Sequence, residues 1–125
     1  VGEGSLVAGS LINIADVLDE QGKIEEADGL YQQALAFREA AGDPAGVARA
    51  CYSMARSLWR RGKREEAVPL IEREMTLYRE ERMFPETIRE LERLASIYQD
   101  MGDKGRAEQY RKEASALGAQ QSGQG

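Results

Sequence analysis

The sequence predicts an all-α fold of three helix–turn–helix units stacked one on another. Two observations carry that prediction. Gly22, Gly62 and Gly102 stand 40 residues apart in the matching frames LDEQGKIEEA, LWRRGKREEA and YQDMGDKGRA, and a constant spacing over three copies marks an internal repeat. Before each glycine, apolar and small side chains recur at equivalent positions: Leu11, Ile14, Ala15 and Leu18; Cys51, Met54, Ala55 and Leu58; Leu91, Leu94, Ala95 and Tyr98. Their spacings place each set on one face of a helix. After each glycine a second series begins with Ala27, Ala67 and Ala107 and continues with Leu30, Leu70 and Tyr110. It defines a partner helix.

The elements follow in order. A first helix over about 5–20 ends before Gly22, because the residue just past a helix commonly adopts a left-handed conformation that glycine reaches without a Cβ penalty. A second helix covers 24–41. The stretch AAGDPAG then supplies Asp43 as an N-cap and Pro44 at the first position of a third helix, 44–61. A fourth helix, 64–82, contains Pro69, which removes one backbone bond and is expected to kink it. MFPET places Pro85 at the first position of a fifth helix, 85–101, with Phe84 a poor cap. A sixth runs over 104–117. The polar, glycine-rich tail GAQQSGQG, residues 118–125, is expected to be disordered.

Composition narrows the function. At 125 residues the chain suffices for one modest core. One cysteine, Cys51, permits no internal disulfide, which fits a reducing, cytoplasmic compartment. Its apolar column marks it as a small core residue. No run approaches the roughly 20 apolar residues that span a bilayer, so no membrane partner is expected. The start lacks the basic region of a signal peptide. It opens on Val1 rather than an initiator methionine, which reads as a stretch cut from a longer protein.

The net charge of −5 argues against nucleic acid as a partner. That charge is uneven: residues 1–47 hold 2 basic and 9 acidic side chains, residues 48–87 hold 9 and 7. An acidic first repeat therefore meets a mildly basic middle.

Catalysis finds little support. The sequence has no histidine, which removes the usual general base, the Ser–His triad and most zinc sites. The carboxylate pairs Glu25/Glu26, Glu65/Glu66 and Glu80/Glu81 sit near Lys or Arg on exposed helix faces and read as solvated surface. GEGSLVAG lacks the GK[ST] of a phosphate loop and follows no strand. No enzyme activity, metal or cofactor is expected.

The repeated frame, with Ala15, Gly22, Ala27, Tyr31 and Ala34 in its first copy, resembles the tetratricopeptide repeat. The resemblance covers about 8–117. At 40 residues the repeat is similar to the long variety of Pins-type adaptors, kinesin light chains and bacterial multi-repeat regulators. It implies one domain over 1–117, with repeats at about 5–43, 44–84 and 85–117, wound as a right-handed superhelix whose first helices line a concave peptide groove. Three positions depart from the pattern. Glu74 stands where the family prefers Ala. Arg111 and Ser115 are polar where other copies carry Tyr31 and Ile71, or Leu35 and Met75. Polar residues in those columns suit the closing face of a repeat array.

Carrying over the family's groove columns points to Asn13 and Asp16 in the first repeat, Arg49, Tyr52, Arg56, Trp59 and Arg60 in the second, and Arg89 and Arg93 in the third. The second-repeat set shares one broad helical surface, and Tyr, Trp and Arg are the types that dominate binding hot spots. The competing reading packs Trp59 under a neighbouring helix and pairs the arginines with glutamates. Arg89 and Arg93 match the basic pair with which related domains hold chaperone C-terminal carboxylates. Ile12, Asp16 and Ser53 replace the remaining residues of that clamp, which argues against it. Asn13 fits long-repeat adaptors that grip a peptide backbone.

The leading reading is a noncatalytic scaffold presenting its groove to an acidic or amphipathic protein segment. The alternative is a self-associating structural or sensor module excised from a larger regulatory protein. It rests on residues 6–18, LVAGSLINIADVL, which are more apolar than a one-sided helix needs. Leu6, Ile12 and Val17 fall outside the assigned core face and are the expected contacts of a homodimer.

Overall fold

A computed structural model describes residues 3–123. Six helices follow one another: α1 (Glu3–Glu20), α2 (Ile24–Ala40), α3 (Pro44–Arg60), α4 (Arg64–Glu80), α5 (Phe84–Asp100) and α6 (Lys104–Gly123). They pack as the antiparallel hairpins α1/α2, α3/α4 and α5/α6, with α2 against α3, α4 against α5, and α1 touching α3. The chain is an all-α helical repeat.

All five turns share one backbone design. Residues 22, 42, 62, 82 and 102 have positive φ, four of them glycines and the fifth Arg82 at 59°. At the first turn Gly22 N–H donates to Asp19 C=O at 3.0 Å and Lys23 N–H to Leu18 C=O at 2.9 Å, the paired bonds of a Schellman motif. The same pair recurs at the other four, as in Arg82 N–H to Arg79 C=O at 3.0 Å and Met83 N–H to Tyr78 C=O at 2.8 Å. The structural period is thus a turn every 20 residues. Asp43 caps α3 as expected, its side chain accepting from Gly46 N–H at 3.0 Å. Before α5 the cap is Met83, without a side-chain bond, and Phe84 opens the helix ahead of Pro85. Helix α4 continues through Pro69.

The expected disordered tail is corrected over 118–123. Helix α6 continues to Gly123, because no proline interrupts it and Ala and Gln are competent helix formers. Residues 124 and 125 lie outside the described residues.

Two apolar clusters fill the interior. One joins α1, α2 and the first half of α3 around Tyr31, Leu35 and Cys51; the other joins α3 to α6 around Ile71, Leu91, Leu94 and Ile97. Position in the stack decides what equivalent residues do. Leu94 is buried, Met54 half-buried, and their equivalent Ile14 exposed, because this column packs on the preceding repeat and α1 ends the stack. The same holds for Val17 against Ser57 and Ile97. The neighbouring column faces the following repeat, so Ile12 is buried against α3's side of the stack while Glu92 is exposed. Ile12 is therefore corrected from outward contact to core residue, and Ile14 takes its place on the surface. At the far end Arg111 and Ser115 are exposed, as their polarity anticipates.

Candidate functional site: an arginine-lined cleft

Helix α1 contributes Gly9, Ile12, Asn13 and Asp16 to one face of the stack, α3 the equivalent Arg49, Tyr52, Ser53 and Arg56, and α5 Arg89. A cleft of about 520 Å³ opens there, lined by Gly9, Ile12, Asn13, Asp16, Arg38, Arg49, Tyr52, Ser53, Arg56, Tyr78 and Arg89. Tyr52 and Arg56 also border an adjoining cleft with Ala55, Trp59, Ile71 and Arg93. Of the nine expected groove residues, eight thus line two contiguous clefts; Arg60 lies outside both. Arg38 and Tyr78 were not anticipated. They come from α2 and α4, whose side chains reach past the first helices of each pair, and no local sequence signal sets them apart.

Several of the expected groove arginines form ion pairs, two of them with aspartates of α1. Arg56 pairs with Asp16 at 3.1 Å, and Asp16 also accepts from the Tyr31 hydroxyl at 2.5 Å. Arg60 pairs with the buried Asp19 at 2.5 Å, and the Ser57 hydroxyl donates to the same carboxylate at 2.6 Å. Farther out, Arg61 meets Asp28 at 3.7 Å and Arg73 meets Glu39 at 2.5 Å. The charge asymmetry between the first and second repeats is therefore structural: it locks α1/α2 onto α3/α4. Arg49 has no carboxylate within ion-pair range among the described residues.

Aromatic and guanidinium groups interleave over the floor. Arg56 and Arg93 lie over Tyr52 with 5.5 and 5.6 Å to the ring centroid, and Arg64 lies 4.5 Å over Trp59. Trp59 is half-buried against the core yet borders the adjoining cleft. Such stacking orders long cationic side chains before any ligand arrives.

Behind the arginines lie two fully buried carboxyls, Glu74 on α4 and Glu90 on α5. Glu90 receives Arg89 Nε and Arg93 Nη1, each at 3.3 Å. Neither oxygen of Glu74 has a hydrogen bond of good geometry, the nearby Tyr78 hydroxyl acting on it only weakly. Burial, and then the charge of Glu90, push its carboxyl up to about 8. The Tyr78 phenol is raised by burial and by the same carboxyls. Burial pushes the Cys51 thiol up to about 11, which leaves it an inert core group. Among the described residues no set of three or more His, Cys, Asp or Glu is placed to hold a metal ion, and no helix is long and apolar enough to cross a membrane.

A tetratricopeptide repeat family model matches residues 6–80, and a second tetratricopeptide repeat model matches residues 91–117. The chain belongs to the tetratricopeptide repeat family. Among solved structures it is similar to the TPR domain of Arabidopsis FLU, with 20% identity and a TM-score of 0.70 over 90% of this chain and 95% of that one. That likeness concerns the fold. No curated protein matches the sequence. Tetratricopeptide repeats generally mediate protein–protein interactions, and the arginine-lined cleft lies mainly on the first helices of the repeats.

Proposed function

We propose that this chain is a noncatalytic scaffold whose concave cleft holds an acidic protein segment. One observation carries the reading. Four arginines line a single cleft whose one carboxylate among the described residues, Asp16, is already bonded to Arg56 and Tyr31. An incoming carboxylate side chain meets Arg49, which has no carboxylate within ion-pair range among the described residues, beside Arg89 and Arg93, which share the single buried Glu90. Tyr52 and Trp59 offer rigid apolar area beside them. Arg49 and Arg93 supply the recognition; Arg56 and Arg60 serve the fold as well.

The test is a panel of peptides of graded charge, followed by fluorescence anisotropy against the full chain. Acidic peptides bind best, and the Arg49→Glu/Arg93→Glu variant loses about tenfold or more in affinity at unchanged helicity. Added salt weakens binding further. Equal binding of acidic and basic peptides, or full affinity in the double variant, refutes the reading.

A second reading, self-association, is favoured by the exposed apolar side chains Leu6, Val7, Ile14 and Val17 on α1. It predicts a concentration-dependent mass in sedimentation, lowered by Leu6→Lys/Val17→Lys with the fold intact. A wild-type chain that stays monomeric throughout excludes it.

A further inference from the structure

Resting on the cleft as the binding site, a narrower assignment is open at the end of the cleft lined by Arg38, Arg49 and Arg89 from α2, α3 and α5. Arg38 is nine-tenths buried, and its Nη1 donates to Gly46 C=O at 2.9 Å. Its Nε has no hydrogen-bond partner. An N–H withdrawn from water and left unbonded is costly, and native structures rarely keep one without a use. Arg38 borders the cleft with its Nη2 beside Gly9 of α1, where an added Cβ would lie in ordinary contact at 3.7 Å.

Arg49 and Arg89 border the same cleft, as do the Ser53 hydroxyl and the Tyr52 and Tyr78 phenols. Arg89 has its Nε on Glu90, and Arg49 has no carboxylate within ion-pair range among the described residues. The charge of Asp43 acts on Arg38, but that carboxylate also caps α3. Burial and Arg49 both disfavour the Arg38 cation. The fold has therefore gathered like charges in a partly enclosed space and supplied no internal anion to Arg49.

We infer that this end of the cleft binds a phosphoryl dianion, carried on the acidic segment and held by Arg38, Arg49 and Arg89. A carboxylate brings one charge and two oxygens, which a single guanidinium fork satisfies. A phosphoryl group brings nearly two charges and three acceptor oxygens, and suits several guanidiniums converging from different helices. The cleft, at about 520 Å³, also has room for the chain that carries the group.

The experiment follows the arginine Nε–H resonances of the full chain by NMR while inorganic phosphate or acetate is added at fixed ionic strength. Phosphate produces saturable shifts at Arg38, Arg49 and Arg89, with about tenfold higher affinity than acetate. Arg49→Gln weakens phosphate about tenfold, whereas Arg79→Gln, whose side chain pairs with Glu113 elsewhere on the surface, leaves it unchanged. Superposable phosphate and acetate curves, or no effect of Arg49→Gln, overturn the assignment. If phosphate fails while unphosphorylated acidic peptides still bind and still depend on Arg49 and Arg93, only the phosphoryl assignment falls. If both fail, the acidic-groove reading falls with it.

Discussion

Replacing Glu74 by glutamine should change how stability depends on pH, and the direction follows from burial alone. Glu74 stands in the column of Ala34 and Ala114, deep between α4 and α5, with no exposure and no hydrogen bond of good geometry on either oxygen, Tyr78 opposing the shift only weakly. Desolvation first, and Glu90 second, raise its carboxyl from an ordinary 4.5 to about 8, against opposing pulls from Arg93 and Arg89. Between those values the folded chain keeps a proton that the unfolded chain has released. Stability therefore falls as pH rises through the window, by about 1.4 kcal/mol per pH unit, and levels off above it. Glutamine keeps the shape of the neutral acid and removes this proton from the balance. Urea unfolding followed by circular dichroism should give Glu74→Gln nearly wild-type stability at about pH 5 and a clear advantage at about pH 8. Parallel stability curves for the two proteins would show that Glu74 is ionised in the fold, and would refute the argument.

The turn geometry makes a second prediction. Gly62 has φ 76° and nothing within 4 Å of an added Cβ, so Gly62→Val carries a purely backbone cost of about 1–2 kcal/mol. Arg61→Ala loses only the half-exposed Asp28 pair and one long bond to Ser57 C=O and should cost less; equal thermal unfolding midpoints would contradict the left-handed turn. Asp19→Ala strips a buried carboxylate from Ser57 and Arg60 and should destabilise by about 2 kcal/mol. An unchanged urea midpoint would show that this pairing does not hold α1 to α3.

The helical plan was legible because one residue type marks the turns and one spacing marks the faces. Glycine at 22, 62 and 102 showed three turns, and the structure has five of the same design. Gly42 was obscured by the stronger cap signal of Asp43 and Pro44. The break after 82 was expected from Pro85, but its backbone was not: arginine holds the left-handed position there, as the neighbouring hydrogen bonds reveal. The length of α6 was misread because the polar, glycine-rich composition of the tail suggested disorder, yet α6 carries Gly118 and Gly123 within its span.

The candidate site was less legible, because sequence spacing tells which face a residue occupies but not what stands opposite. Arg49 and Arg56 are seven residues apart on one helix and look alike in sequence. Across the interface Arg56 meets Asp16, while no carboxylate lies within ion-pair range of Arg49 among the described residues. The same limit misplaced Ile12 and Ile14, two residues apart on an apolar helix. Which of them is buried depends on the side from which α3 approaches. Glu74 is the instructive case. It broke the repeat's small-residue pattern in plain view, yet its consequence, a buried acid facing Glu90 behind Arg89 and Arg93, exists only once α4 and α5 are packed. Departures from a repeat's column are therefore the sequence positions most worth testing in this fold, because the stack supplies each with a neighbour that its own repeat does not contain.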